Sequence, residues 1–96
     1  MYIKDNFSNY TYVNKTAKQN EEIIASHLKS LKPDWTYHVA KKISVTVDKD
    51  CMVLINGTDK ILIRADLGLN IGCEDRDISS FVMLDNDVNI YMLIGY

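Results

Sequence analysis

Apolar and polar residues alternate along most of the chain after Pro33, and a period of two is the pattern of a β-strand whose two faces differ. In KISVTVD, residues 42–48, three branched apolar residues fall on one face, with Ser44 and Thr46 on the other. A chain with this pattern must pair its strands into sheets and bury one face of each sheet. The sequence therefore predicts a mainly β protein.

A β-hairpin is the clearest single element of the predicted sheet. CMVLIN (51–56) and KILIRA (60–65) are apolar segments on either side of a turn that begins Asn56-Gly57. Asn and Gly both tolerate positive φ, as a tight hairpin turn requires. We expect Gly57 to have positive φ in this turn.

Further short strands are predicted at 35–40, 78–84 and 88–96, whereas 66–77 is predicted to be irregular. Both alternating sets of the last strand contain apolar residues, which predicts burial on both of its faces. About six short strands with no helix between them predict an antiparallel β-sandwich or a small barrel.

Helical spacing precedes the strands. In TAKQNEEIIASHLKSLK, residues 16–32, apolar residues recur every three or four positions, Thr16 is the expected N-cap, and Pro33 ends the pattern. We therefore predict a single globular unit consisting of an N-terminal arm over residues 1–15, an α-helix over 16–33 and a β-domain over 34–96.

Size and charge limit the classes of function. The chain has 96 residues, of which 47% are hydrophobic and 25% charged, and these values suit one globular domain. The net charge of −2 combines +3 over residues 1–42 with −5 over residues 43–96, so charge favours neither nucleic acid nor a membrane as a partner. The sequence shows no signal peptide and no apolar stretch of membrane-spanning length.

No catalytic or metal-binding motif stands out. His27, His38, Cys51 and Cys73 could supply four zinc ligands, but none of them forms the close pair that structural zinc sites use. Nucleophile elbows and phosphate-binding glycine loops are also lacking. We predict free thiols, no cofactor, no metal and no enzymatic activity, whereas a pocket joining His38 to the acidic segment 74–77 would favour an enzyme.

Apolar side chains on the helix and aromatic side chains in the arm are the candidate self-association surface. The usual role of an apolar helix stripe is packing on the protein's own sheet, and the alternative is a seam between subunits. As interface residues we predict Ile23, Ile24, Leu28, Leu31, Tyr10 and Tyr12.

Trp35 and Tyr37 are the candidate ligand-binding or partner-binding aromatics, because Trp and Tyr favour interfaces. The same residues could close one end of the core. An exposed coplanar set of aromatic rings would favour sugar binding, and burial of the rings at a subunit contact would favour assembly.

Four segments of the C-terminal half form a recognisable set: Ile55-Asn56-Gly57-Thr58, the strand 60–65, Ile78-Ser79-Ser80-Phe81, and the closing Ile90-Tyr91 and Ile94-Gly95-Tyr96. With these segments the C-terminal half resembles a small β-domain found in tailed-phage proteins of Gram-positive hosts. The resemblance covers roughly residues 43–96, departs at the acidic segment 74–77, and carries over no functional residue.

This resemblance implies a non-enzymatic virion component, such as a fibre, decoration or head–tail accessory protein. Such a protein would form a homo-oligomer, with a trimer preferred, contact other virion proteins, and assemble in the host cytoplasm. The alternative function is a binding module, either a carbohydrate-binding domain or a small protein inhibitor of a host factor.

Overall fold

The computed structural model describes residues 9–36, 38–72 and 77–96. One helix and seven strands make up this part of the chain. In chain order they are β1 (Tyr10–Ala17), α1 (Ile24–Leu31), β2 (Lys42–Val47), β3 (Cys51–Ile55), β4 (Asp59–Ile63), β5 (Leu69–Ile71), β6 (Phe81–Met83) and β7 (Val88–Gly95).

The strands form two antiparallel sheets. The larger sheet has the order β1-β7-β2-β5, and the smaller sheet has the order β4-β3-β6. Their inward-facing side chains form one core of branched apolar residues, methionine and Phe81. The predicted mainly β fold, a small antiparallel sandwich with one helix, is confirmed.

The segment before the helix differs from the prediction. Tyr10–Ala17 is a strand that pairs along its whole length with β7, so residues 10–15 belong to the larger sheet and Thr16 caps no helix. Residues 1–8 of the predicted arm lie outside the described residues. The β-domain accordingly includes β1 and does not begin at residue 34.

Helix α1 is less than half the predicted length, because Glu22 and not Thr16 supplies the hydrogen-bond acceptors at its start. The Glu22 carboxylate accepts hydrogen bonds from the backbone N–H groups of Ile24 (2.9 Å), Ala25 (3.0 Å) and Ser26 (2.8 Å). These are helix N–H groups that have no partner within the helix. At the other end the helix stops at Leu31, two residues short of the predicted end at Pro33.

Two further predicted assignments are also corrected. In the predicted strand 35–40, the described residues 35, 36 and 38–40 belong to no strand, and Ala40 makes an isolated bridge with Ile78. The segment 66–77, predicted to be irregular, contains the short edge strand β5.

Strand β7 is buried on one face, not on both, because its outward side is not covered. Tyr91 is 45% exposed, whereas its neighbours Ile90 and Met92 are buried. This difference places an aromatic side chain on the outer surface of the larger sheet.

The β3–β4 hairpin forms as predicted. Asn56 has φ 54° and Gly57 has φ 74°, which are the two positive values of a tight hairpin turn. The Asn56 side chain also joins the turn to the segment before β6: its Oδ1 accepts the N–H of Ser79 at 2.7 Å, and its Nδ2 donates to the carbonyl of Asp77 at 2.9 Å.

Candidate interaction surface

The predicted helix stripe lies mostly inside the molecule. Ile23, Ile24 and Leu28 are buried in the core of this single chain, and only Leu31 is exposed, at 43%. The first three residues are therefore not available as a seam between subunits while the fold is intact. Here the usual role of such a stripe, packing on the protein's own sheets, is the correct one.

Tyr10 and Tyr12 are exposed on β1, at 56% and 59%. Tyr12 also stacks on Tyr91 of β7, with ring centroids 5.8 Å apart and ring planes 21° from parallel. The two rings meet because the register places Tyr12 opposite Leu93 and therefore diagonal to Tyr91.

We call the outward side of the larger sheet the tyrosine face. Of its outward positions on the four described strands, Lys42 alone carries a charged side chain. Depletion of charge together with tyrosine enrichment is characteristic of the centre of protein interfaces. Besides Lys42 the face consists of Tyr10, Tyr12, Asn14, Thr16, Ser44, Thr46, Asn70, Asn89, Tyr91, Leu93 and Gly95.

Strand β1 is also an edge strand, with β7 as its only partner among the described strands. Asn9 and Tyr96 exchange both backbone hydrogen bonds, at 3.1 and 2.9 Å. Because bonded pairs alternate along an antiparallel ladder, the N–H and C=O groups of Tyr12, Asn14 and Thr16 point away from β7. They form a row of backbone groups on the outer edge of the sheet.

The one charge on β1 is neutralised within the chain. The Lys15 ammonium binds the Glu21 carboxylate. That contact, followed by the backbone N–H of Lys18, holds the pKa of Glu21 below its ordinary value. The charge of Lys15, which would otherwise discourage a second strand from approaching this edge, is therefore already compensated.

A shallow groove of about 260 Å³ crosses one end of the tyrosine face. Tyr91 and the side chains of Asn14 and Thr46 line it, with Asp48 and Asn89 at its end. The Asp48 carboxylate accepts two bonds from Asn89, one from the backbone N–H and one from Nδ2, both at 2.9 Å. This group was not predictable from the sequence, because it forms only when β1, β7 and β2 lie side by side.

Trp35 lies away from the groove. Its ring meets that of Tyr96 at a centroid distance of 5.8 Å and a tilt of 60°, and the Lys32 ammonium lies 5.7 Å from the ring centroid. Trp35 is 43% exposed, so it neither closes the core nor forms a coplanar platform. Tyr37, the other predicted aromatic, lies outside the described residues.

The histidines and the cysteine that were considered as zinc ligands, and that the structure describes, each have separate surroundings in the fold. His27 Nε2 lies 3.0 Å from Thr11 Oγ1, and His38 Nε2 donates to the carbonyl of Lys32 at 2.8 Å. The Cys51 thiol is buried, and burial followed by nearby aspartates raises its pKa to about 11. Cys73 and residues 74–76 of the acidic segment lie outside the described residues.

Within the ranges that the structure describes, no three His, Cys, Asp or Glu side chains are grouped so that they could hold a metal ion. No helix in those ranges has the length and apolar character needed to cross a membrane. Comparisons with protein-family models, with curated proteins and with solved structures find no match to this chain.

Proposed function

We propose that this protein is a non-enzymatic structural subunit that self-associates through the outer edge of β1, and that it serves as a component of a tailed-phage virion. The observation that carries the self-association is the row of outward backbone groups at Tyr12, Asn14 and Thr16, beside a nearly uncharged face. The virion role is supported by the resemblance of residues 43–96 to phage β-domains.

The edge of β1 favours pairing with a second copy of the same strand. β1 has eight residues in unbroken register with β7, and it contains neither proline nor a bulge. Proteins that keep an edge strand monomeric commonly use such features, or short strands, to block pairing. β5, at the opposite edge of the same sheet, has only three residues.

Two identical edges pair antiparallel about a two-fold axis, and the contact closes after two copies. The proposed assembly unit is therefore a dimer whose larger sheets join into one continuous sheet. The phage resemblance implies a trimer, but a strand edge accepts only one further strand, so the geometry of β1 favours two-fold over three-fold association.

Light scattering coupled to size-exclusion chromatography tests the self-association. At micromolar concentration we expect the wild-type protein to have twice the 11.0 kDa mass of one chain. Asn14→Pro removes an N–H that points away from β7, so it blocks edge pairing while leaving the β1–β7 hydrogen bonds in place. We expect this variant to be a folded monomer.

Asn14→Ala is the matched control, because it removes the same side chain and keeps the N–H. It should remain a dimer. A monomeric wild type, or an Asn14→Pro variant that stays dimeric with an unchanged circular dichroism spectrum, would contradict pairing through β1. The virion role is tested separately by mass spectrometry of purified phage particles from cells that carry the gene: peptides of this chain should be present in them.

A further inference from the structure

The groove on the tyrosine face has the composition of a site for a small polyhydroxylated ligand. Tyr91 supplies an aromatic ring, and the other lining residues supply amide, hydroxyl and carboxylate groups together with two apolar side chains: Asn14, Thr46, Asp48, Asn89, Val47 and Ile90. A pyranose sugar presents the same combination, with apolar C–H groups on its ring faces and hydroxyl groups around its rim. We propose that this groove binds a neutral pyranose sugar.

The aromatic side of the groove is exposed and held in place. Tyr91 is 45% exposed, and its ring is supported by stacking on Tyr12. A supported ring loses little side-chain entropy on binding, which lowers the free-energy cost of forming a contact. The C–H face of a sugar ring can therefore pack on Tyr91 without reorganising the surface.

The polar side of the groove is also fixed in place. The Asp48 carboxylate is bound twice by Asn89, and Asn89 Oδ1 in turn accepts the hydroxyl of Thr16 at 2.6 Å. Each carboxylate oxygen has a second lone pair, so Asp48 can still accept a hydrogen bond from a ligand hydroxyl. This arrangement presents a preorganised acceptor beside the aromatic ring.

Two further polar side chains remain available. In the part of the chain that the structure describes, neither Asn14 nor Thr46 uses its side chain in a hydrogen bond. Both residues line the groove. The Asn14 amide can donate and accept, and the Thr46 hydroxyl can do both. Such groups can pair with the hydroxyl groups of a sugar, each of which is itself donor and acceptor.

Charge favours a neutral ligand over an anionic one. Asp48 lies at the groove, and the groove lining contains no Lys or Arg. An acidic sugar would be repelled by this carboxylate and would find no cation to bind it. The volume of about 260 Å³ is below the range of sites for drug-sized molecules and suits a single sugar ring.

Sugar binding in the groove is compatible with pairing of β1, because the two surfaces point in different directions. The outward N–H of Asn14 lies in the plane of the sheet, whereas its side chain projects from the face. Either proposal can therefore fail without the other: light scattering reports on pairing, and a sugar titration reports on the groove.

A titration followed by ¹H–¹⁵N NMR tests the proposal, with glucose, galactose and N-acetylglucosamine as separate probes. We expect at least one of them to shift the amide signals of Asn14, Asp48 and Asn89, with a dissociation constant in the millimolar range. Glucuronate should bind more weakly than the best neutral sugar. The absence of groove shifts with all three neutral sugars at tens of millimolar would overturn the proposal.

Variants locate the site. Tyr91→Ala should weaken binding by roughly tenfold, and Thr46→Val, which replaces a hydroxyl by a methyl group of similar shape, should weaken it severalfold. Both residues are on the surface, so both variants should stay folded, with a lower melting temperature only for Tyr91→Ala, which loses the stacking contact with Tyr12. Trp35→Ala is the control for the other exposed aromatic: if it abolishes the shifts and Tyr91→Ala does not, the site is not the groove.

Discussion

Gly68 shows how one residue fixes the approach between the β4–β5 connection and β2. Its φ is +69°, and a Cβ at this position would lie 2.5 Å from the carbonyl oxygen of Val45. Gly68→Ala therefore combines an unfavourable backbone conformation with a steric clash against the main chain. We expect a loss of about 1–3 kcal/mol from the backbone conformation alone, with more from the clash.

Gly57→Ala is the matched control, because φ is +74° and nothing lies within 4 Å of the added Cβ. It should lower the free energy of unfolding only by the penalty for a residue with a Cβ in the left-handed conformation, about 1–2 kcal/mol. Urea denaturation of the two variants measures the difference. Equal losses would mean that the β4–β5 connection moves away from β2 without cost.

We expect the Cys51 thiol to be unreactive in the folded protein. Its thiol is buried at the start of β3, and its pKa is raised to about 11, so little thiolate forms near pH 8. In a Cys73→Ser background, Ellman's reagent should react slowly with the native protein at pH 8 and fast after denaturation. Fast reaction of the native protein would show that the start of β3 opens readily.

The raised pKa of Cys51 also makes the stability of the fold depend on pH. The folded thiol keeps its proton above pH 9.0, where the unfolded thiol loses its own. Between that pH and about 11 the unfolded state therefore gains free energy from ionisation that the folded state does not. The free energy of unfolding is therefore unaffected by this thiol below pH 9 and falls as the pH rises from 9 to about 11. Cys51→Ala should remove this fall.

At the scale of elements, Glu22 joins α1 to the smaller sheet. Besides its three bonds to the start of the helix, its carboxylate accepts the N–H of Phe81 at 3.0 Å, at the first residue of β6. Glu22→Ala leaves these donors without their acceptor. Loss of hydrogen bonds to a charged group predicts about 2–3 kcal/mol of destabilisation in thermal or urea denaturation.

Glu21→Ala is the control for Glu22, since the neighbouring glutamate makes a surface ion pair with Lys15. A surface pair of this kind contributes less than about 1 kcal/mol. If the two variants lose the same stability, the four hydrogen bonds of Glu22 do not hold the helix to the sheet.

The segment before α1 also shows why the local sequence pattern predicts the start of the helix too early. Ala17 fits both a helical stripe and the inward row of a strand, and four of the five residues 18–22 are polar helix formers, Asn20 being the exception. The partner of β1 is β7, more than seventy positions away, and pairing with a distant strand overrides local preference. The β3–β4 hairpin was predictable because its partners and its turn are adjacent in sequence.

For the whole molecule, the candidate surface was predictable only in part. Tyr10 and Tyr12 lie in an alternating segment rich in β-favouring residues, and they are exposed on a strand. The exposure of Tyr91 and the groove beside it depend on which strands become neighbours, and hydrophobic spacing carries no information on that order. Local sequence therefore defines the faces of each strand, whereas long-range pairing defines the site.

The strand that closes the molecule, β7, lies between β1 and β2 and supplies core residues along its inward row. Met92→Ala combined with Ile94→Ala should cost about 2–5 kcal/mol at each position, a sum comparable with the whole stability of a small domain. We expect this double variant to be largely unfolded by circular dichroism and NMR. Tyr91→Ala with Leu93→Ala changes the outward row of the same strand and should stay folded. Unfolding of both variants would mean that the outer face of the larger sheet is covered within the chain, and would leave no surface there for a partner or a sugar.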